Sequence, residues 1–415
     1  MAVLVQKYGG SSVADIEKLH AVADRVALAR RSGHDVVVVV SAMGKTTENL
    51  LSLARDAARA PDGVGGAEPE PPRRELDMLV STGERVSMAL LSIAMQARGL
   101  DAISFTGSQS GIITNDRHFG ARIIEVRPHR IEDELYRGRV VIVAGYQGMS
   151  YRREITTLGR GGSDTTAVAL AAALGAERCE IYSDVDGVYS ADPRNVPDAQ
   201  HLPELDYATM QEMAESGAKV LCAQAVEWAK QNRVTIVARR TSDPATGKVR
   251  ETRIAPDTES TPSRAVVAER QIALLRAPAG TPLFEAAAEA GLPLADTTLD
   301  ERGVRACVPL RNVPDFARSR RVLESALGEG LSIELGLGRL SLVGVEVGSR
   351  PALVDRALAL LGAPAVSLLG TPLRISAVLP EAALLAAERA WHDEFGGSDA
   401  LAAGPAQSSR ASTPA

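Results

Sequence analysis

Short apolar runs recur along residues 1–240, and most are followed by a loop of small residues and a longer stretch with apolar positions at helical spacing. The clearest run, Val36–Val40, consists of five valines. Such an unbroken β-branched run is typical of a strand buried on both faces of a parallel sheet. Comparable runs lie at residues 3–5, 102–105, 140–144, 179–182 and 233–238. The repeated order of strand, loop and helix predicts an α/β domain, a mostly parallel-sheet αβα sandwich.

The pattern changes after residue 240. Residues 241–264 are rich in Ser, Thr, Pro and charge, and they predict a linker. Beyond them, strands and helices alternate in two sets, 265–336 and 337–400, each with the size and order of a ferredoxin-like βαββαβ unit. The first set is one strand short unless residues 293–299 supply it. Residues 401–415, rich in Ala, Ser and Pro, predict a disordered tail.

Composition and charge narrow the class of protein. The chain has 415 residues, a net charge of −6 and no basic stripe, so nothing in it predicts binding of nucleic acid. No run of about 18 apolar residues predicts a membrane span, and the strand pattern begins too early for a signal peptide. The scattered Cys179, Cys222 and Cys307 predict neither a disulfide framework nor a zinc site. Together these features predict a cytoplasmic protein without a metal site of its own.

The first candidate site is the loop before the apolar run 167–174. Gly161 and Gly162 let backbone N–H groups approach an anion, and Ser163 or Asp164 is positioned to cap the following helix. A helix start of this kind holds a phosphate or a carboxylate, and Arg160 adds a guanidinium suited to a carboxylate. Asp164, an acid at an anion site, requires a metal, an ammonium group or a proton as partner. An ordinary loop and helix cap remains the alternative.

A second candidate site follows the first strand. Lys7 stands at the strand end, and Gly9, Gly10 and Ser11 precede a helical pattern. This is a second anion cradle with a mobile positive charge, although its spacing is neither that of a P-loop nor GxGxxG. An ordinary βα turn with a solvated lysine is the alternative. Because ligands of such folds bind at the carboxyl ends of parallel strands, we expect both loops to share one rim.

Several motifs occur in an order that resembles the aspartate kinases of the amino acid kinase superfamily. They are KYGGSS (7–12), SAMG (41–44), STGER (81–85), FTGSQSGI (105–112), TTLGRGGSDTTA (156–167) and YSDVDGVYSADPR (182–194). The resemblance covers residues 1–240 and implies the amino acid kinase fold. The last third of the chain resembles, more distantly, the tandem ACT domains of that family.

The resemblance implies phosphorylation of the side-chain carboxylate of L-aspartate by ATP with Mg²⁺, the first step toward lysine, threonine and methionine. It places Lys7, Arg160 and Asp164 in catalysis. It implies an ATP site formed by Lys7, Tyr8, Gly9, Gly10, Ser11, Ser183, Asp184, Tyr189, Arg194, Lys219 and Val220. It implies an aspartate site formed by Ser41, Thr47, Glu84, Arg160, Gly162 and Ser163, in which Glu84 meets the ammonium group and Arg160 the carboxylate that does not react.

The ACT-like part departs from the family pattern. Arg276–Thr281 stands where an Asp-x-Pro-Gly turn is expected, and residues 292–298 lack the expected Gln-Asn. The second unit is shortened around residues 362–371. Because a bound amino acid needs partners for both of its charges, these changes predict weak or absent feedback inhibition. ACT units commonly pair across subunits, so a homo-oligomer is expected, and the isozyme would serve primary or specialised aspartate metabolism.

Two other functions fit the residues less well. A kinase of the same fold that acts on another acidic amino acid is disfavoured because Glu84 and Arg160 match the aspartate pattern. A catalytically silent regulatory or interaction protein is disfavoured because Lys7, Arg160 and Asp164 are intact whereas the sensor half has diverged.

Overall fold

The computed structural model describes residues 1–59, 70–243, 249–256, 264–313 and 315–396. The predicted tail at 401–415 and two parts of the predicted linker, 244–248 and 257–263, lie outside the described residues. The described part contains four sheets: an eight-stranded sheet, a four-stranded sheet, a two-stranded sheet, and a six-stranded sheet formed by the last third of the chain.

The first part of the chain alternates strands and helices. Its strands are β1 (Ala2–Tyr8), β2 (His34–Val40), β3 (Ala102–Phe105), β4 (Ile112–Thr114), β5 (Ile123–Val126), β6 (Val140–Ala144), β7 (Gln147–Ser150), β8 (Ile155–Thr157), β9 (Arg178–Ser183), β10 (Val188–Tyr189), β11 (His201–Leu202), β12 (Glu204–Leu205), β13 (Ile236–Arg240) and β14 (Glu251–Ile254). Its helices are α1 (Ile16–Arg31), α2 (Thr46–Ala58), α3 (Arg73–Gln96), α4 (His129–Tyr136), α5 (Gly162–Ala173), α6 (Tyr207–Glu215) and α7 (Ala223–Asn232).

The large sheet has the order β12-β14-β13-β9-β1-β2-β6-β3, and only the β13–β14 pair is antiparallel. The side chains of β2 point alternately to the two faces of the sheet, and each face is covered by a layer of helices. Val36 and Val38 pack in the core formed with α1 and α3, whereas Val37 and Val39 pack in the core that contains α5 and α7. The predicted α/β sandwich with a mostly parallel sheet is therefore confirmed.

One part of the predicted linker belongs to the large sheet. Residues 251–254 form β14, which pairs with β12 and β13. The buried Thr252 donates its hydroxyl to the Leu202 carbonyl at 2.6 Å and accepts the Val188 N–H at 2.7 Å. The polar composition of this segment suggested a linker. Its polar residues instead make hydrogen bonds inside the protein, and these partners cannot be read from the sequence.

The last third of the chain forms a six-stranded sheet, β16-β17-β15-β18-β20-β19, with all of its neighbouring pairs antiparallel. Its elements are β15 (Ala265–Ala277), α8 (Leu283–Ala290), β16 (Ala295–Asp300), β17 (Gly303–Pro309), α9 (Phe316–Leu327), β18 (Ser332–Val343), α10 (Pro351–Ala359), β19 (Ser367–Thr371), β20 (Arg374–Pro380) and α11 (Leu384–Phe395). A short helix, Leu310–Asn312, follows β17.

Two long strands, β15 and β18, run through both halves of this sheet. One half of β15 pairs with β17 and the first part of β18, while residues 265–269 pair with residues 339–343. The boundary predicted between residues 336 and 337 therefore falls inside β18. The second set of elements obtains its fourth strand from residues 265–269, which precede it in the chain. The strand predicted at 293–299 appears as β16.

The six-stranded sheet contacts helix α6 of the first part through a cluster of buried charges. Arg339 on β18 is almost fully buried and pairs with Glu269 and Asp296, each at 2.6 Å. Its guanidinium also donates to the carbonyl of Glu215 at the end of α6. Arg374 pairs with the same Asp296 at 2.6 Å. These contacts fix the six-stranded sheet against the helical layer of the first part.

Among the described residues, one helix is long and apolar enough, by length and composition, to cross a membrane. It is α3, and about half of its most apolar window is buried inside the protein. Asp77 and Glu84, both buried, lie on it. The position of α3 against β6 and β8 identifies it as a core helix of the first part.

Candidate active site

Lys7 and Asp164 form an ion pair at the centre of the large sheet. The distance from Lys7 Nζ to Asp164 Oδ1 is 2.6 Å, and about 11% of each side chain is exposed. Lys7 is the penultimate residue of β1, and Asp164 lies in the first turn of α5, which packs against β1. Water is largely excluded here, so the interaction of either charge with a ligand is stronger than at the surface.

The turn after β1 leaves no room for a side chain at Gly10. The Gly9 N–H donates to the Tyr182 carbonyl at 3.1 Å, and the Gly44 N–H donates to the Gly10 carbonyl at 3.0 Å. A Cβ on Gly10 would lie 2.8 Å from the Ala42 carbonyl oxygen. The turn therefore brings bare backbone between the ends of β1 and β2. Ser11 is exposed at the same turn.

The start of α5 differs from the prediction. Neither Ser163 nor Asp164 caps the helix, because its N-cap is Gly161 in the left-handed conformation, with φ 74° and no side-chain hydrogen bond. Gly162, Ser163 and Asp164 instead form the first turn, and all three are buried. Ser163 lies against Gly145 at the end of β6, where a Cβ would approach the Ser163 Oγ to 2.8 Å. The loop is thus fitted to the rim of the sheet.

Glu84 is a buried carboxylate with an unused oxygen. Its Oε1 accepts the Ala42 N–H at 3.0 Å, and its Oε2 has no hydrogen-bond partner. Burial raises the pKa of Glu84 to about 7, partly offset by backbone hydrogen bonds. Helix α3 approaches the loop after β2 this closely because Gly83 lies against Ala42. Glu84 is therefore directed into the protein and is not an exposed surface residue.

Arg160 is exposed, and its Nε donates to the carbonyl of Arg311 at 3.0 Å. Arg311 belongs to the short helix after β17, so the last third of the chain reaches the edge of this site. Tyr146, which the sequence analysis did not select, lies near both Arg160 and Glu84. Burial, with smaller contributions from the charges of Glu84 and Asp77, raises the pKa of Tyr146 to about 12. The only sequence signal for Tyr146 was its position directly after β6.

The remaining residues assigned to the aspartate site lie at the carboxyl end of β2. The Ser41 N–H donates to the Tyr8 carbonyl at 3.1 Å, which fixes the strand end beside β1. Thr47 is half-buried in the first turn of α2. The proposed aspartate site thus lies at the ends of β2 and β6. Ser41 and Thr47 follow β2, Glu84 contacts the loop after β2, and Ser163 lies against the end of β6.

The residues assigned to the nucleotide occupy the side of β9. Ser183 ends β9, its Oγ accepts the Val185 N–H at 3.2 Å, and Asp184 follows it. Tyr189 donates its hydroxyl to Asp186 at 2.8 Å, and Arg194 pairs with Asp192 at 2.7 Å. Lys219 and Val220 lie in the loop between α6 and α7. Burial, followed by the charges of Arg311 and Arg194, lowers the pKa of Lys219.

The Tyr8 side chain is placed differently from the prediction. It is fully buried, stacks on Tyr182 with ring centroids 4.8 Å apart, and donates its hydroxyl to Gln6. Neighbouring residues of a strand point to opposite faces, so Lys7 and Tyr8 cannot both face the same site. Tyr8 can therefore contribute only backbone atoms to a nucleotide site.

The strands β9, β1, β2 and β6 are adjacent and parallel, so their carboxyl ends lie at one edge. The loops after them carry the glycine turn, the segment 41–44, the segment 145–148 and Asp184. Lys7, the buried Glu84 and the start of α5 thus lie around one rim. Transfer of a phosphoryl group to a small amino acid requires such an arrangement.

Comparison with known proteins agrees with this geometry. Residues 2–238 match the amino acid kinase family. The chain is 40% identical over 420 residues to an aspartokinase of Mycolicibacterium smegmatis, covering 95% of this chain and 96% of the relative. E. coli aspartokinase III in complex with aspartate and ADP (R-state) superposes with a TM-score of 0.82 at 25% identity, covering 94% of this chain and 99% of that one. The lysine and aspartate complex (T-state) of the same enzyme has a TM-score of 0.67 at 25% identity over the same shares.

The parallel sheet and the charged groups at its rim are consistent with a kinase that acts on a small substrate, and the chain belongs to the amino acid kinase family. Within that family it belongs to the aspartokinases. It is an aspartate kinase, an enzyme that phosphorylates aspartate with ATP.

Proposed function

We propose that the enzyme holds aspartate between Glu84 and Arg160 and the ATP phosphates between Lys7, the glycine turn and the start of α5. The observation that carries the aspartate assignment is Glu84, whose Oε2 is buried without a partner. A substrate ammonium group would supply the missing hydrogen bond and compensate the cost of the buried charge. Arg160 would turn from the Arg311 carbonyl to the substrate carboxylate that does not react.

The side-chain carboxylate of aspartate is already a nucleophile at neutral pH, so no general base is needed. One of its oxygens forms a bond to the γ-phosphorus while the bond from that phosphorus to the β,γ-bridging oxygen breaks and ADP leaves. Catalysis then depends on alignment and on neutralising the transferring group. Lys7, oriented by Asp164, would supply the positive charge, and the N–H groups at the start of α5 would supply hydrogen bonds.

The residues present fit a magnesium ion that arrives with ATP. Magnesium is usually bound through one or two carboxylates together with substrate phosphates. Asp164 and Asp184 stand at the same rim, and the described residues contain no group of three or more candidate ligands that could form a separate protein cage. When bound, Mg²⁺ would neutralise charge on the phosphate tail.

The substrate assignment is tested by coupling ATP consumption to hydroxamate formation with L-aspartate, L-glutamate and other small acids. Efficient turnover with aspartate alone is the expected result. Comparable kcat/KM values with glutamate would favour a kinase of another acidic amino acid, and no turnover with any acid would favour a silent regulatory protein.

Weak or absent feedback inhibition is also proposed. Asp296, the one acidic group in the diverged segment 292–298, already pairs with Arg339 and Arg374 at 2.6 Å each. It is therefore not free to bind the ammonium group of an effector. The test is a titration of the purified enzyme with lysine plus threonine at millimolar concentration. Activity should change little, and strong inhibition would refute the proposal.

The enzyme is proposed to be a cytoplasmic homo-oligomer of amino-acid biosynthesis that assembles through the ACT-like units. Edge strand β16 exposes Leu299, and α8, which precedes it in the chain, exposes Phe284. Burying these side chains against a second copy would remove apolar surface from water. Light scattering after gel filtration should give a mass above that of one chain, and Leu299→Glu should lower it.

A further inference from the structure

Asp77 is a buried acid that has no role in the proposed mechanism of phosphate transfer. It lies on α3 about two turns before Glu84, so both side chains emerge from the same face of the helix. Its side chain is fully buried. In place of an arginine or lysine, its recorded partners are the Thr157 hydroxyl, the Phe119 N–H at 3.1 Å and the His118 Nδ1 at 2.6 Å.

These partners join two segments to α3. The N–H groups of Gly120 and Ala121 donate to the Thr157 carbonyl at 3.0 and 2.8 Å, so the loop at 115–121 is docked on β8. Phe119 itself has φ 58°, a left-handed conformation that is strained for a residue other than glycine. The hydrogen bond from its N–H to Asp77 helps to hold that conformation. One carboxylate therefore fixes the loop and the strand together.

Strand β8 leads directly into the proposed aspartate site. Thr157 is followed by Leu158, whose N–H donates to the Tyr146 carbonyl at 2.9 Å, and then by Gly159 and Arg160. Tyr146 also lies near the Thr157 side chain and near Glu84, Asp77 and Arg160. A shift of Thr157 would thus be transmitted to Tyr146 and to the start of the arginine loop.

We infer that Asp77 is a positioning residue for aspartate binding, because its carboxylate fixes Thr157 and Phe119 and thereby sets where β8 delivers Arg160. Asp77 does not touch the substrate in this account. The inference rests on the proposed roles of Glu84 and Arg160. It predicts an effect on aspartate affinity that is separable from any effect on stability and from ATP affinity.

The chain offers a matched control within the same small sheet. Thr114 and Thr156 are buried and share a hydroxyl hydrogen bond of 2.6 Å. Thr156 neighbours Thr157 on β8 and points to the opposite face. Thr157→Val and Thr114→Val each remove one buried hydroxyl, so their Tm values should fall to a similar extent. Only Thr157→Val should raise the KM for aspartate, by about tenfold, the effect of losing about 1.4 kcal/mol. Its KM for ATP should stay within about twofold.

Two substitutions of Asp77 complete the test. Asp77→Asn keeps an oxygen toward Thr157 and Phe119 and can donate to His118, so its KM for aspartate should stay near that of the wild type. Asp77→Ala should raise it at least as much as Thr157→Val. If Asp77→Ala does not fold, the two threonine variants decide. An unchanged aspartate KM in Thr157→Val, with a Tm as low as that of Thr114→Val, would overturn the inference.

Arg160→Ala in the same assay separates this inference from the proposed site. If Arg160→Ala raises the aspartate KM and Thr157→Val does not, the positioning role of Asp77 is wrong and the site assignment stands. If Arg160→Ala itself leaves the aspartate KM unchanged, the site assignment is wrong, and the positioning role fails with it.

Discussion

At the scale of single residues, the site is defined by two carboxylates, of which one has a charged partner and the other does not. Asp164 is paired with Lys7 at 2.6 Å, whereas Glu84 is buried with one oxygen unpartnered. The first pair holds a positive charge in place for the phosphates. The second carboxylate is incomplete until a cation arrives, and burial accordingly raises its pKa to about 7.

Replacing Lys7 by alanine should lower kcat by about 10²–10³-fold, the usual effect of removing one preorganised donor to developing charge. The KM for aspartate should change little, because Lys7 faces the phosphates in this account. Steady-state kinetics measure both. The control is Lys18→Ala, which removes an exposed lysine paired with Asp15 on α1 and should leave both constants unchanged. Normal turnover of Lys7→Ala would show that its assigned role is wrong.

Glu84 gives a prediction about pH. Only its ionised form binds an ammonium group well, so kcat/KM for aspartate should fall about tenfold per pH unit below about 7. Glu84→Gln should lower kcat/KM at pH 8 and remove this dependence. A pH–rate profile of both proteins measures the effect. A wild-type profile that stays flat between pH 5.5 and 7 would contradict the role of Glu84.

The same group makes a prediction about stability without substrate. The folded pKa of Glu84 is raised above its unfolded value of 4.5, so its contribution is fully present below pH 4.5 and is lost as pH rises through about 7. Glu84→Gln should therefore melt at a higher temperature than the wild type at pH 8.5, and at a similar temperature at pH 5. Scanning calorimetry of the unliganded proteins tests this, and the opposite order at pH 8.5 would be inconsistent with a strained carboxylate.

At the scale of elements, the start of α5 depends on backbone conformation more than on side-chain caps. Gly161 is left-handed, and a Cβ there would overlap the Cβ of Cys222. The glycine thus allows α7, which packs against α5, to approach the helix start. This contact determines where the buried first turn of α5 points.

Gly161→Ala should lower both stability and kcat. The strain of a left-handed alanine costs about 1–2 kcal/mol, and the clash with Cys222 adds displacement of the helix start. Gly175→Ala is the matched control, because Gly175 also has positive φ but lies in open space after α5. The free energy of unfolding of Gly175→Ala should fall only by the strain of the left-handed alanine, and its kcat should equal that of the wild type. Equal kcat values for the two variants would show that the clash does not reach the site.

Sequence patterns predicted the elements well where burial is uniform and poorly where contacts come from distant segments. The valine run of β2 is sufficient by itself to predict a buried parallel strand. In contrast, β14 depends on hydrogen bonds to β13, and the left-handed Gly161 depends on Cys222. The burial of Tyr8 followed from strand alternation, which makes Lys7 and Tyr8 face opposite layers. Asp77 carried no sequence signal of its own and Tyr146 only its position after β6, since their partners lie on other elements.

At the scale of the whole molecule, the kinase part and the ACT-like part are joined by the cluster around Arg339. Arg339 is buried with Glu269 and Asp296 and also bonds the Glu215 carbonyl. A second link is the hydrogen bond from Arg160 to the Arg311 carbonyl at the rim. The first link is structural, whereas the second ends on a residue proposed to bind substrate.

Arg339→Met should destabilise the protein by about 3–5 kcal/mol, because it leaves two acids buried with reduced compensation. Arg356→Met is the control, since it breaks a more exposed pair with Glu394 and should change stability by no more than about 1 kcal/mol. Urea unfolding monitored by fluorescence and by circular dichroism measures both. Equal midpoints for the two variants would mean that the buried cluster contributes no more than a surface pair.

The most direct test of the account is a crystal structure of the enzyme with L-aspartate and a non-hydrolysable ATP analogue. The substrate ammonium group should lie within about 3.2 Å of Glu84 Oε2, and a carboxylate within about 3.2 Å of the Arg160 guanidinium. The γ-phosphate analogue should contact Lys7 Nζ and face the remaining carboxylate. Aspartate and the phosphates in separate cavities, or aspartate bound without Glu84 and Arg160, would contradict the account.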